Sequence, residues 1–419
     1  MTETEPETQI AASFRPGTPA ELAEAVAEAV GGTQPLELVG TGTRRTVGRP
    51  VQAAAVLALD RLSGIQDYDP AELVLTCGAA TPMRALATAL EEAGQMFAFE
   101  PVDLGPLLGG GAGGGTLAGA LSADFAGPRR IRAGAGRDHL LGFSGVSGRG
   151  TPFKAGGRVV KNVTGYDVSK LVAGAWGTLV AFDALSVKAL PAPETTRTLL
   201  LHGLDTVRGQ RALAAAMNSS HDVSGAAHLP PQIAGRSPVL GGAGAATLLR
   251  IEGFPTSVAA RVDALAGELA TFGAVDVLDD EASRTLWVEV RDVHYLAPPH
   301  TDPARDMVWR LSVPPTQGPA VAAAIAARAD CSCFFDWAGG LVWAAVSGQD
   351  DGGAAAVRAA VAAEASSGHA TLVRAPTAIR AAVPVFQPQP PALAALAERL
   401  KDQFDPLRLF NPGRMVAGL

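Results

Sequence analysis

The chain has 419 residues, 47% hydrophobic and 18% charged, with a formal net charge of −7, a globular balance with room for two or three domains that excludes a disordered chain. An acidic chain without a dense Lys/Arg stripe is a poor match to nucleic acid, because phosphate neutralisation needs clustered cations; the densest basic run, Arg129, Arg130, Arg132 and Arg137, reads as a local anion site or a solvated loop. Cys77, Cys331 and Cys333 form no CxxC pair and no set of four, so no zinc or iron–sulfur site is predicted and any cluster that takes electrons must sit on another subunit.

Met1 to Thr8 is acidic and polar, unlike a secretory leader, and no run of about 18 apolar residues suggests a membrane span, so a cytoplasmic location is expected. The sequon Asn162-Val163-Thr164 is then irrelevant to glycosylation. Thr18-Pro19-Ala20-Glu21 is a capping box with Pro at the first helical position, opening a helix to about Val30. A strand at Leu36-Glu37-Leu38-Val39 runs into Gly40-Thr41-Gly42-Thr43-Arg44-Arg45-Thr46-Val47-Gly48. The bare N–H groups of such a loop can cradle a pyrophosphate, with the Thr hydroxyls and Arg44 or Arg45 as further donors. Its spacing is neither GxGxxG nor GxxxxGK[ST], which excludes Rossmann and P-loop labels.

Strands are predicted near 55–59 and 73–76 with a turn at Asp67-Tyr68-Asp69-Pro70, then a helix over 81–93, making a compact α+β lobe. The glycines of 109–115 lead into Thr116-Leu117-Ala118-Gly119-Ala120-Leu121-Ser122. So many glycines suit backbone that must approach a ligand closely. Further on comes Lys161-Asn162-Val163-Thr164-Gly165-Tyr166-Asp167. Asp167 or Ser169 is placed to cap a short helix through Val172, Gly174 and Gly177 free the chain to turn, and from Leu185 an alternating strand follows.

Taken in this order, residues 40–48, 113–122, 137–142 and 161–191 resemble FAD-binding domains of the vanillyl-alcohol oxidase (PCMH) type. Phe14-Arg15-Pro16-Gly17, Gly94-Gln95-Met96, Phe99-Glu100-Pro101, Val160 to Asp167 and Phe410-Asn411-Pro412-Gly413-Arg414-Met415 resemble, within that type, the FAD-binding E subunits of bacterial glycolate oxidases. The resemblance covers about the first 190 residues and the last 20. It implies an α+β fold: a flexible N-terminus (1–12), a two-lobed FAD-binding domain (13–192), a cap on the substrate side (193–375) and a C-terminal segment returning to the FAD domain (376–419).

The resemblance further implies that Gly40, Thr41, Gly42 and Thr43 line the FAD pyrophosphate, that Gly114, Gly115, Thr116, Gly119 and Ser122 approach pyrophosphate and flavin from the other side, that Gly177, Thr178 and Val180 meet the cofactor through backbone, and that Asn411 lies near the isoalloxazine. With Thr43, Arg44 and Arg45 where some relatives carry a flavin-linking His, FAD is expected to be non-covalent. The implied partners are a sister FAD-linked catalytic subunit, an iron–sulfur subunit and a small 2-hydroxy acid, any contact with the inner face of the membrane being made through the partner subunits.

In the middle region, a strand at 248–253, a helix at 257–272, a strand at 307–313, a helix at 318–329 and strands at 331–337 and 341–346 suggest two βαβ-like passes and a ferredoxin-like cap. Catalytic relatives carry a His-Gly-Asp-Gly-Asn type segment and a Glu-His pair there. This chain has neither, Gly368-His369-Ala370 being the nearest echo, and Arg310 in Trp309-Arg310 is a possible carboxylate partner or an ordinary salt-bridge residue. No catalytic residue is assigned. The alternative function is a non-catalytic FAD-binding or scaffold subunit, with the chemistry on a sister chain.

Overall fold

The computed structural model describes residues 12–158, 165–242 and 244–419. Lys161-Asn162-Val163-Thr164, with Val160 before it, lies outside the described residues. Strands β1 (Ala12–Phe14), β2 (Leu36–Val39) and β3 (Ala55–Ala58) form a parallel sheet of order β1-β3-β2. The helix Pro19–Gly32 packs Leu22, Val26 and Ala29 onto it. Thr18 caps the helix as read, its Oγ1 accepting from Glu21 N–H, but the reciprocal half of the box shifts by one residue: the Glu21 carboxylate accepts from Gly17 N–H at 2.7 Å rather than from Thr18 N–H.

The second sheet is antiparallel, in the order β4-β5-β9-β7-β8, built from β4 (Ile65–Asp69), β5 (Val74–Gly78), β7 (Leu140–Ser147), β8 (Pro152–Gly156) and β9 (Val180–Lys188); β6 (Gln95–Met96) and β10 (Leu190–Pro191) pair separately. The turn predicted at 67–70 falls later. Asp67-Tyr68-Asp69 ends an exposed edge strand, and the Asp69 carboxylate starts the turn by accepting from Ala71 and Glu72 N–H. Strand β9 begins at Val180 rather than Leu185, and Leu185, Ser186 and Val187 are all buried because the strand is central; Ser186 meets its polar need with Thr76 Oγ1 at 2.8 Å. Asp167 occupies the N-cap position of the helix Val168–Val172 but does not cap it, its carboxylate turning to Lys170 instead.

The cap is larger than the sequence suggests. Strands β11 (Thr195–His202), β12 (Gly225–Leu229), β13 (Ala246–Gly253) and β14 (Val275–Leu278), with helices Thr206–Met217 and Pro255–Leu269, form one βαββαβ unit of order β14-β11-β13-β12. Strands β15 (Asp306–Ser312), β16 (Cys331–Asp336), β17 (Leu341–Ser347) and β18 (His369–Arg374), with helices Gly318–Ala326 and Ala354–Glu364, form a second of order β16-β17-β15-β18. Each is a complete ferredoxin-like unit, and the two join edge to edge where His228 of β12 faces Phe335 of β16, giving one eight-stranded antiparallel sheet. Its other face carries the helix Asp280–Arg291, whose Trp287 donates to Thr198 of β11, and packs Leu248, Phe334, Trp337 and Trp343 against Phe125, Trp176 and Val102 of the N-terminal lobes.

The C-terminal tail returns to the first sheet. Leu36 N–H donates to Leu409 O at 2.7 Å and Asn411 N–H to Leu36 O at 2.9 Å, so residues 409–411 run alongside β2. Lys401 locks the return: its buried ammonium donates to Asp405 Oδ2, Thr178 O and Phe410 O, while fully buried Asp405 accepts from Leu409 and Phe410 N–H.

Candidate functional site

A cleft of about 720 Å³, mouth included, separates the two FAD-side sheets. Its floor is the loop that leaves β2. Gly42 and Gly48 hold positive φ (80° and 91°), so the loop folds back on itself, and the N–H groups of Thr41, Gly42, Thr43 and Arg44 have no acceptor among the described residues. The opposite wall is the second glycine loop. The walls touch where Thr41 Oγ1 donates to Gly114 O at 2.6 Å, and a Cβ on Gly40 would come within 3.1 Å of Thr116 Oγ1, which caps the helix Leu117–Ala123 by accepting from Gly119 N–H.

The closing segment forms the third side. Gly177 (φ 69°) passes so close to Asn411 that a Cβ would lie 2.8 Å from its Nδ2. Asn411 is engaged at both ends of its carboxamide, Oδ1 accepting from Leu38 N–H at 2.9 Å and Nδ2 donating to Trp176 O at 2.8 Å. Of the residues singled out in the sequence, Gly40, Thr41, Gly42, Thr43, Thr116, Gly119, Ser122, Gly177, Val180 and Asn411 line the cleft. Three do not. Gly114 and Gly115 stand behind the wall, Gly115 opening onto a separate cleft, and Thr178 turns into the protein, its hydroxyl donating to Ala175 O and its carbonyl accepting from Lys401.

The two loop arginines divide their roles. Arg45 is taken by Glu37, its Nε donating at 2.9 Å, whereas Arg44 donates from Nη2 to Val102 O and its sealed Nε has no partner. Arg414 stacks on Trp176 with its Cζ 5.5 Å from the ring, donates from Nη2 to Arg44 O, and also carries a sealed, unpartnered Nε. Burial lowers the pKa of both, that of Arg414 to about 10, so an anion in the cleft would stabilise their charged forms. Bare N–H groups, close-packed glycines and two under-satisfied guanidinium groups fit a pyrophosphate-bearing cofactor such as FAD. Trp176 and Arg414 were not assigned from the sequence, although both lie inside segments that it singled out. Ala79 and Ala80, also lining the cleft, left only the weak signal of small residues between a strand and a helix.

Where the cap meets the lobes, a buried ion cluster joins the two. Glu100 accepts from Arg250 Nη1 and Nη2 at 2.9 and 3.0 Å and from Arg129 at 2.6 Å, and Arg129 also binds Glu252. These cations hold the Glu252 carboxyl at about 2 against the opposing pull of burial. Trp309 and Arg310 point to opposite faces of β15. Trp309 enters the helix-side core and donates to Gly352 O, while Arg310 faces the lobes, between Phe125 and Trp337. His369 opens β18 opposite Ser312. Among the described residues no helix is long and apolar enough to cross a membrane, and no group of three or more His, Cys, Asp or Glu side chains is placed to hold a metal.

The FAD binding domain family matches residues 10–156. The 4-ethylphenol oxidase from Gulosibacter chungangensis superposes over 96% of this chain and 88% of its own, with a TM-score of 0.69 at 11% identity. Fold and cleft thus define a flavoprotein of the vanillyl-alcohol oxidase (PCMH) type, an FAD-dependent oxidoreductase with a two-lobed cofactor domain beneath an α+β cap. In sequence, the chain is 31% identical to glycolate oxidase subunit GlcE of Escherichia coli (strain K12) over 95% of its length and 97% of that protein's, and 28% identical to glycolate oxidase subunit GlcD of Bacillus subtilis (strain 168) over 38% of its length and 33% of that protein's. The chain belongs to the GlcE family of glycolate oxidase subunits.

Proposed function

We propose that this chain is the FAD-holding E subunit of a glycolate oxidase complex, taking part in oxidation of glycolate or D-lactate to the 2-oxo acid. In this reading the partners are a sister FAD-linked subunit and an iron–sulfur subunit that receives the electrons, in the cytoplasm or at the inner face of the membrane. Bound FAD supplies the two-electron acceptor for the hydroxy acid. The residues proposed to hold it are Gly40, Thr41, Gly42, Thr43, Thr116, Gly119, Ser122, Gly177, Val180 and Asn411, with Gly114, Gly115 and Thr178 shaping the walls from behind and Arg44 and Arg414 adding charge.

The observation that carries the reading is the run of free N–H groups from Thr41 to Arg44 facing Thr116 and Gly119 across the cleft. Among the described residues, no His, Cys or Tyr lines that cleft, which supports non-covalent binding. The test is an anaerobic visible spectrum of the purified chain before and after glycolate is added. A flavin band that bleaches supports a subunit that itself oxidises glycolate. A band that stays oxidised favours the cofactor-holding alternative with chemistry on the sister chain, and a chain that takes up no FAD, alone or with its partner subunits, overturns the reading.

A further inference from the structure

Most of the buried arginines where the cap meets the lobes have oxygen partners. Arg250 is held by Glu100, Arg129 by Glu100 and Glu252, and Arg374 by the Leu107, Leu296 and Asp306 carbonyls and Thr301 Oγ1. Arg310, in the middle of β15, is the exception. It is 8% exposed, and its guanidinium makes no hydrogen bond and no salt bridge with any described residue. Nε is sealed from solvent, whereas the Nη edge retains access to solvent. Phe125 and Trp337 flank the group, with Cζ 4.9 and 5.0 Å from their ring centroids, and the rings fix the plane in which its donors fork.

A desolvated cation without a counter-ion is unfavourable unless something else supplies the anion. We propose that Arg310 is a carboxylate-binding residue of this chain, taking a small monocarboxylate on its Nη edge at the lobe-facing surface of the cap sheet. The inference rests on the reading of the chain as a hydroxy-acid-oxidising subunit and names the group that recognises the acid. The site lies one ring from the cofactor cleft, because Phe125, which flanks Arg310, packs edge-on against Trp176 at 5.7 Å and Trp176 lines the cleft. Arg130, stacked on Trp337 with its Cζ 4.5 Å from the ring centroid, repels Arg310, while Asp124 and Asp336 attract it without hydrogen-bonding to it; two carboxylates against one further cation suit a monoanion better than a dianion. Burial lowers the Arg310 pKa to about 10, which leaves it charged at neutral pH.

The test titrates the FAD-loaded chain with glycolate, acetate and sulfate while reading tryptophan fluorescence, which Trp337 beside Arg310 makes sensitive to occupancy, with FAD content measured on the same samples. Saturable responses to glycolate and acetate, but not to sulfate, are expected. Arg310→Met should raise their Kd at least about tenfold, Arg310→Lys should fall between, and neither should change FAD content. Because Arg310 lacks a counter-ion, Arg310→Met should keep or raise Tm. An unsaturable wild-type response, an unchanged Kd in Arg310→Met, or equal binding of sulfate would overturn the proposal, as would a lowered Tm in both variants with binding intact, which would mark a structural stack. If the chain holds no FAD yet the response still depends on Arg310, the flavin reading fails and the carboxylate site stands.

Discussion

Asn411 and Trp176, 235 residues apart, are joined by a hydrogen bond of 2.8 Å from the Asn411 carboxamide to the Trp176 carbonyl, while the same carboxamide accepts from Leu38 N–H. One tail side chain therefore ties together two walls of the cleft. Asn411→Ala would leave a buried carbonyl and a part-buried N–H without partners, and a loss of about 1–3 kcal/mol for each group is expected. Denaturant unfolding should show it, together with weaker FAD retention on gel filtration; unchanged values in both would remove Asn411 from the cleft architecture.

Gly42→Trp should abolish FAD retention, because Gly42 sits at positive φ in the loop that lines the cleft. Gly31→Ala, near the end of the helix Pro19–Gly32 with open space around its Cβ, serves as the control and should stabilise by about 0.5–1 kcal/mol without affecting the flavin. Absorbance at the flavin band per mole of chain reads both variants.

Glu100→Ala should destabilise the chain by about 3–5 kcal/mol, since it strips the bidentate partner from Arg250, only 2% exposed. Adding Arg250→Met should recover part of that loss, because the stranded charge is then gone. Urea midpoints of the two single variants and the double variant measure the coupling, and simple additivity would mean that the cluster does not act as a unit.

Asp336 gives a pH signature of defined sign. Burial pushes its carboxyl up to about 7, so between about 4 and 7 the folded chain binds a proton at this site that the unfolded chain has released. Its contribution to stability therefore falls as pH rises through that window and levels off above it, with a full span on the order of 4 kcal/mol. Asp336→Asn, which keeps an oxygen to accept from Trp337 N–H, should flatten this part of the pH profile. A profile that matches wild type would place the Asp336 pKa near its ordinary value.

The cleft between the two N-terminal sheets was legible because its signals are local. A strand running into Gly40-Thr41-Gly42, a glycine run before the Thr116 cap, and Gly177 at a turn each announce themselves within a few residues. The cap was only half legible. Strand β12 is Gly225-Ala226-Ala227-His228-Leu229, with no β-branched or aromatic residue to mark it, so the tandem of ferredoxin-like units read as a single one. Pairing across distance left no trace at all. Glu100 and Arg250 stand 150 residues apart, and neither neighbourhood says that the other completes it. Arg310 was visible as a candidate, but only its surroundings distinguish a free guanidinium from a paired one.

The tail that runs beside β2 also fixes the order of assembly. Three walls of the cleft come from the first 182 residues, yet the side chain that joins them arrives at position 411, after the whole cap has been synthesised. A nascent chain cannot join those walls before position 411 has emerged, and a chain interrupted ahead of it lacks the bond between the Leu38 and Trp176 segments.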